Sequence, residues 1–327
     1  MHRSADRHPD APGNERLLLR SFHHSAYPPA RIAAERAARR LNVSVCLPAR
    51  ECAATVGPIV AALLQLREAG AIDRVVVVDA ASPDGTAAVA ARAGAEVWQE
   101  RELMAHMGPV LGKGDAMWRA LSMLDGELVC FLDADTEDFS AHFATGLLGP
   151  LVCEPDVAFV KGFYRRPLAG EGAGGGHGGG RVNHLMARPA LALFYPELAQ
   201  VRQPLAGEMA ARRDLLEQLP FATGYGVEIA MLIDAWREVG LGAIAQVDLE
   251  EHRNRHQPLS ALTPMALAVL ATIARRLERD GRLAPLQPAS GPQLASGSSD
   301  LDAVGAHAPP ERPPFAALAR EAAWTPA

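Results

Sequence analysis

The run Leu128-Val129-Cys130-Phe131-Leu132-Asp133-Ala134-Asp135 constrains the fold of this chain more than any other stretch. Its apolar part is too short and too continuous for a half-exposed strand, and reads as a strand buried on both faces of an α/β sheet. A buried strand ends in two acids only if something at its carboxyl end compensates their charge. Ligands of open α/β sheets bind in the crevice beyond those ends. Two carboxylates spaced one residue apart there can hold a hard divalent cation, and the cation a diphosphate. The alternative is a strand exit with two solvated acids, and the remaining sequence has to decide between them.

Strand and helix patterns alternate upstream of this run. Val43–Leu47, Arg74–Asp79 and Ala95–Trp98 read as strands, and Thr55–Ala69, Pro83–Ala93 and Gly114–Leu124 as helices. Alternation of this kind predicts a mainly parallel, doubly wound sheet with right-handed crossovers. The second half is less regular. Val157–Arg165 and Ala243–Leu249 read as strands, and Val182–Leu193, Gly224–Val239 and Pro258–Asp280 as helices. The expected organisation is a lead-in over 1–41, partly disordered, then a nucleotide-binding half over 42–166. An acceptor-binding half with a C-terminal helix follows over 167–282, and a disordered tail rich in Pro, Ala, Ser and Gly over 283–327.

Composition removes several classes of function. A net charge of −6 argues against a nucleic-acid surface. No apolar run reaches the roughly 20 residues of a membrane span, and the charged N-terminus lacks the apolar core of a signal peptide. Cys46, Cys52, Cys130 and Cys153 have no CxxC spacing and read as small apolar fillers of a reducing cytoplasm. The loop after the first strand, Pro48-Ala49-Arg50-Glu51-Cys52, contains no glycine, which excludes a dinucleotide fingerprint. Gly108-Pro109-Val110-Leu111-Gly112-Lys113-Gly114 is one residue short of a phosphate-binding Walker loop, with Gly114 where the magnesium-binding hydroxyl belongs.

What remains is a set of polar groups at strand or loop exits on one sheet edge. Asp79 ends a strand, Ser82-Pro83-Asp84-Gly85-Thr86 turns into a helix, and Gly112-Lys113-Gly114-Asp115 precedes another. Each alone reads as ordinary turn and capping chemistry. Combined with Asp133 and Asp135 they favour a nucleotide-sugar site.

The chain resembles the glucosyl-3-phosphoglycerate synthase family of GT-A-fold retaining glycosyltransferases. The resemblance is carried by VSVCLPAR at 43–50, VVVVDAASPDGTA at 75–87, GKGDAMWRAL at 112–121 and CFLDADTEDF at 130–139. It continues through VKGFYRRPL at 160–168, GGGRVNHLMARPAL at 178–191, the long block at 203–236 and IAQVDLEEHRNRHQPL at 244–259. It implies a GT-A α/β fold and transfer of glucose from UDP-glucose to a small anionic acceptor, by default 3-phosphoglycerate. Pro48, Ala49, Cys52, Asp79, Ser82, Lys113, Asp133 and Ala134 then form the nucleotide-sugar site. Asp135 and His252 are the implied ligands of Mg²⁺ or Mn²⁺, and Glu228 is placed at the sugar. Lys113, Asp135 and Glu228 become the catalytic set, and a homodimer is implied.

Gly180, Arg181 and Asn183, with Arg253 and Asn254, would bind the acceptor. Backbone N–H groups at a helix start together with a guanidinium form an anion site. A flexible linker with an incidental arginine is the alternative for the Gly-rich stretch.

Three positions depart from the family pattern. Cys52 stands where a carboxylate is usual, and a thiol is a poor acceptor for ribose or base. Asn183 replaces a threonine and Ala134 a serine. Two rivals follow: the same fold redirected to another UDP-sugar or acceptor, such as a sugar acid or nucleobase, and a non-catalytic nucleotide-sugar-binding protein.

Overall fold

The computed structural model describes residues 18–166, 180–253, 258–284 and 310–318. In chain order the elements are β1 (Arg20–His23), α1 (Pro29–Arg39), β2 (Val43–Ala49), α2 (Val56–Glu68), β3 (Arg74–Asp79), α3 (Thr86–Ala93) and β4 (Glu96–Gln99). They continue with α4 (Lys113–Ala120), β5 (Leu128–Phe131), α5 (His142–Cys153), β6 (Phe159–Arg165), α6 (Arg188–Phe194) and β7 (Met209–Arg212). The last are α7 (Arg213–Gln218), β8 (Phe221–Ala222), α8 (Val227–Val239), β9 (Ile244–Glu251), α9 (Leu259–Arg279) and β10 (Glu311–Arg312).

One eight-stranded sheet in the order β1-β9-β6-β7-β5-β2-β3-β4 forms the middle layer. β5 pairs parallel with β2, so the apolar run lies at the centre of the sheet as its composition requires. Leu128, Val129, Cys130, Phe131 and Leu132 are at most 1% exposed. Two apolar layers cover the two faces: one built on α2, α5 and the odd valines of β2 and β3, the other on α4, α8 and their neighbours. The mainly parallel, doubly wound α/β arrangement is the one the sequence predicts. The expected division between 166 and 167 falls within a continuous sheet, because β9 lies parallel to β6.

The strand β7 is the main departure. Met209–Arg212 runs antiparallel to both β5 and β6 and joins them. Four residues, Met-Ala-Ala-Arg, carry too little β-branched content to be read as a strand. Their place is set by tertiary pairing.

Two expectations need correction. The tail is not structureless throughout, since β10 pairs antiparallel with β8 and residues 310–318 pack onto the body. Its anchors are guanidinium and backbone contacts together with Phe315 and Leu318 packed on the core, too short a set to leave a hydrophobic period in the sequence. Ser260–Arg279 within α9 is also long and apolar enough to cross a membrane by length and composition. In the fold it packs on α8, and its fully buried Arg276 is paired with Asp234 at 2.6 Å.

Candidate functional site

Where the central strands end, the chain leaves a cavity of about 700 Å³. β2 contributes Pro48 and Ala49, and its following loop Arg50 and Cys52. The start of α4 contributes Gly112 and Lys113, and the exit of β5 contributes Asp133, Ala134 and Asp135. Gly180, Arg181 and Asn183 line another wall, with Glu228 from the first turn of α8.

Lys113 is the electrostatic centre of the site. Its Nζ donates to Asp133 Oδ1 at 2.6 Å and to Glu228 Oε1 at 3.0 Å. Burial opposes the ammonium charge, but the two carboxylates outweigh it and hold Lys113 well above the ordinary lysine value. Glycine makes this approach possible: a Cβ on Gly114 would sit 1.9 Å from the Ala222 carbonyl oxygen. The start of α4 therefore lies directly against the segment that leads into α8. Gly207 is equally constrained, since a Cβ there would meet both carboxylate oxygens of Asp133 at 2.3 Å.

The loop after β2 is held by the turn after β3. Cys52 N–H donates to Thr86 Oγ1 at 2.8 Å, Glu51 N–H to Ser82 Oγ at 2.9 Å and Ala53 N–H to Asp84 Oδ2 at 3.0 Å. The Cys52 thiol donates to Arg50 O at 3.1 Å, and burial pushes its pKa up to about 11. It is a neutral wall of the cavity. Asp79 and Ser82 lie behind this wall and not on it. Asp79 Oδ2 accepts from Ser82 N–H at 3.0 Å and from Gln99 Nε2 at 3.1 Å, so both residues serve the turn. Asp79 Oδ1 is buried without a partner.

His252 is brought to the acidic pair by stitching between two loops. Glu137 N–H donates to Arg253 O at 3.0 Å, and Arg253 N–H to Asp138 Oδ1 at 3.1 Å. The imidazole lies on the Tyr164 ring with centroids 4.5 Å apart, and its Nε2 is 3.1 Å from Thr136 Oγ1 and 3.0 Å from Glu208 Oε1. Burial works against charge on His252, yet Glu208 raises the imidazole above its ordinary value. Burial likewise opposes ionisation of Glu208, but His252 and Arg166 hold its carboxyl well below the usual range. Glu208 also accepts from the Tyr164 hydroxyl at 2.6 Å.

These residues fit a divalent cation. His252 Nδ1 is buried and has no hydrogen-bond partner. Burial and the neighbouring Asp133 raise the pKa of Asp135, a repulsion that a cation would relieve. A ligating histidine characteristically turns its other ring nitrogen to a carboxylate, the position Glu208 takes here. Among the described residues a second group, His23, His24 and Glu250, has ligand atoms within 4.8 Å of one another. There Ser25 N–H donates to His23 Nδ1 at 3.2 Å, and His24 Nε2 lies 3.2 Å from Glu250 Oε1, so the ring nitrogens of the group already have protein partners.

The acceptor wall is only partly as expected. Asn183 is buried; its Nδ2 donates to Arg202 O and its Oδ1 accepts from Leu205 N–H, both at 3.3 Å. Arg253 is exposed and pairs with Glu251 at 2.6 Å, and among the described residues it does not line the cavity. Asn254 and most of the Gly-rich stretch lie outside the described residues. Sequence reasoning missed Glu208, Gly207, Arg166 and Tyr164. Arg166 and Tyr164 line the cavity, and the Arg166 guanidinium lies over the Tyr164 ring at 5.2 Å. The sequence signal for them was present in the blocks VKGFYRRPL and QPLAGEM, but neither carries a recognisable chemical spacing.

Comparison with known proteins agrees with this geometry. Residues 44–170 match glycosyl transferase family 2. Glucosyl-3-phosphoglycerate synthase of Petrotoga mobilis is 39% identical, over 82% of this chain and 84% of its own. That of Mycolicibacterium smegmatis is 42% identical, over 81% and 86%. Among solved structures, mannosyl-3-phosphoglycerate synthase from Rubrobacter xylanophilus superposes with a TM-score of 0.81 at 46% identity, covering 91% of this chain and 96% of that one. Glucosyl-3-phosphoglycerate synthase from Mycobacterium tuberculosis, in complex with Mn²⁺, UDP-glucose and phosphoglyceric acid, gives 0.77 at 36%, covering 92% and 100%. Sequence identity of this extent, on a fold that assembles the same blocks around one cavity, establishes that the chain belongs to the glucosyl-3-phosphoglycerate synthase family.

Proposed function

We propose that this enzyme transfers glucose from UDP-glucose to 3-phosphoglycerate with retention at the anomeric carbon. The observation that carries this reading is Lys113, bonded to Asp133 and Glu228 across the cavity that Asp135 also lines. Donor chemistry needs a cation beside the leaving diphosphate and hydroxyl-binding carboxylates beside the sugar. Lys113, at 2.6 Å from Asp133 and 3.0 Å from Glu228, supports this assignment, since these are the distances of charge-assisted hydrogen bonds.

Asp133 and the loop of Pro48, Ala49 and Cys52 bind the nucleotide side of the donor, with Asp79 and Ser82 shaping that loop from behind. Lys113 stabilises charge as it develops on the departing phosphate, held in advance in a largely buried site. Asp135 and His252 would hold Mg²⁺ or Mn²⁺, which supplies Lewis-acid stabilisation of the same leaving group. Glu228 is paired with an ammonium, which suits it to sugar hydroxyls or to an oxocarbenium-like transition state and makes it a poor nucleophile. Retention then follows from attack on the face that UDP leaves, the acceptor hydroxyl proton passing to the departing phosphate oxygen. Gly180, Arg181 and Asn183, joined by Arg166, receive the anionic acceptor.

Cys52 and the likeness to a mannosyl-3-phosphoglycerate synthase favour one second reading, in which the donor carries another sugar. Four free cysteines, three of them buried, support a reducing, cytoplasmic setting. Exposed Leu185, Leu193 and Leu270 support a homodimer. Replacing Asp135 or His252 by Ala abolishes turnover in Mg²⁺ or Mn²⁺ while UDP-glucose and 3-phosphoglycerate remain the substrates of the parent enzyme. Undiminished turnover in both variants contradicts the metal assignment.

A further inference from the structure

We infer that Arg312, on the segment that returns to the body at 310–318, is a positioning residue for Lys113 and Glu228. The inference rests on the catalytic site proposed above.

The loop that leads into Lys113 has little structure of its own. Between β4 and α4 it makes a single short 3₁₀ turn at Ala105–Met107. Its carbonyls are held instead by two guanidinium groups. Arg119, fully buried on α4, donates to Leu103 O at 2.7 Å, Met104 O at 3.1 Å and Gly108 O at 2.6 Å. Arg312 donates to Met107 O at 2.9 Å and Pro109 O at 3.0 Å. Between them lies Asp115, which is 0% exposed. Arg312 grips it with two bonds, Nε to Oδ1 at 2.6 Å and Nη2 to Oδ2 at 2.8 Å. The same carboxylate accepts Leu111 N–H at 2.8 Å, one residue before the turn at Gly112 and two before Lys113. A planar fork meeting a carboxylate in this manner fixes direction as well as distance.

The flanking residues tie the same segment to the other side of the cavity. Pro310 O accepts from Thr223 N–H at 3.0 Å and Thr223 Oγ1 at 2.8 Å, immediately before the turn into α8 and Glu228. Pro313 O accepts from Trp118 Nε1 on α4 at 2.8 Å. Glu311 binds Arg279 at 2.8 Å and also Arg276, which is itself paired with Asp234 of α8. One short segment thus holds α4, the 103–112 loop and the start of α8 together. Those three elements present Lys113 and Glu228, whose ends must remain 3.0 Å apart. The segment also holds α9 through Arg276 and Arg279, and α9 packs on Asn183–Ala187, so its link to the acceptor wall runs through a further element.

Loss of Arg312 leaves the buried Asp115 with Arg119 as its remaining guanidinium and takes the side-chain donor from Met107 O, while Pro109 O keeps its bond to Arg119 at 3.2 Å, so the start of α4 shifts relative to Glu228. A displacement near 1 Å at a reacting centre costs on the order of 100-fold in rate. The test compares Arg312→Ala and Arg312→Lys with the parent full-length enzyme, well below the melting temperature of each. Readouts are kcat, KM for UDP-glucose, KM for 3-phosphoglycerate, and UDP affinity by calorimetry with Mn²⁺. Arg312→Ala is expected to lower kcat/KM for the donor about 10- to 100-fold and to weaken UDP binding, with the acceptor KM unchanged. Arg312→Lys restores part of the loss, because a single ammonium retains the charge of the Asp115 pair and not its second bond. Trp118→Phe removes the bond to Pro313 O and trims the buried ring on which Arg312 and Phe315 pack, and is expected to move the same parameters less far. It carries the test if Arg312→Ala fails to fold. Parent-like kcat, KM and UDP affinity in a destabilised Arg312→Ala overturn the inference, as does an equal loss on donor and acceptor. A parent enzyme without glucosyl transfer would count against the proposed function, and UDP affinity would still decide the role of Arg312.

Discussion

Gly207→Ala is the most direct steric probe of the geometry around Asp133. The added Cβ would lie 2.3 Å from each carboxylate oxygen of Asp133, against an ordinary contact of 3.4 Å or more. Gly207 is absent from the glycines with positive φ, so alanine is acceptable to the backbone and the clash is confined to the carboxylate. Relief requires Asp133 to retreat by about 1 Å, the shortfall between those two distances. The Lys113 Nζ to Asp133 Oδ1 bond, now 2.6 Å, then lengthens beyond hydrogen-bonding range. Misplacement of this size costs roughly 100-fold, or about 2.7 kcal/mol of transition-state stabilisation. Steady-state kinetics with UDP-glucose and 3-phosphoglycerate should show that loss in kcat/KM, with the chain still folded by circular dichroism. Parent-like kcat/KM in a folded Gly207→Ala enzyme would refute the placement of Asp133 beside Lys113 as a requirement for turnover.

Other parts of the structure carry further expectations. Glu208→Gln keeps the shape at His252 but removes its charge partner, and Mn²⁺ affinity measured by calorimetry should weaken about 10- to 100-fold; unchanged affinity would separate Glu208 from the metal. Lys161 is 1% exposed, with Nζ bonded to Ala206 O, and burial lowers its pKa to about 8. Below pH 8 the ammonium is charged in both folded and unfolded chains. Between pH 8 and about 10.4 only the unfolded chain retains the proton, so stability rises with pH across that window. The shift corresponds to an order of 3 kcal/mol, and urea unfolding of Lys161→Met should lack the rise. An identical pH slope in parent and variant would contradict it.

The sequence was most legible where charge conflicts with burial. Asp133 and Asp135 at the end of a fully apolar strand pointed to the cavity, and Lys113 after a glycine turn lies where that charge needs it. Glu208 was not legible, although it is 1% exposed, because it precedes a strand that only tertiary pairing creates. Arg253, adjacent to His252 in sequence, pairs with Glu251, a contact that sequence order alone does not reveal. Residues 310–318 escaped notice because guanidinium and backbone bonds and only two apolar side chains, Phe315 and Leu318, anchor them, and such contacts impose no period on a sequence. Asp79 and Ser82 were placed on the correct edge, but their hydrogen bonds turn inward to the loop.

In the proposed function, donor choice rests on the neutral wall at Cys52, and acceptor choice on Arg181, Asn183 and Arg166. The central claim is therefore tested most directly by incubating the full chain with Mn²⁺, 3-phosphoglycerate and UDP-glucose or a competing sugar nucleotide, then determining the product's structure by NMR. The account predicts an α-linked glucosyl product formed from UDP-glucose in preference to its competitors. Transfer of a different sugar in preference, or no product from the UDP-glucose and 3-phosphoglycerate pair, would contradict it.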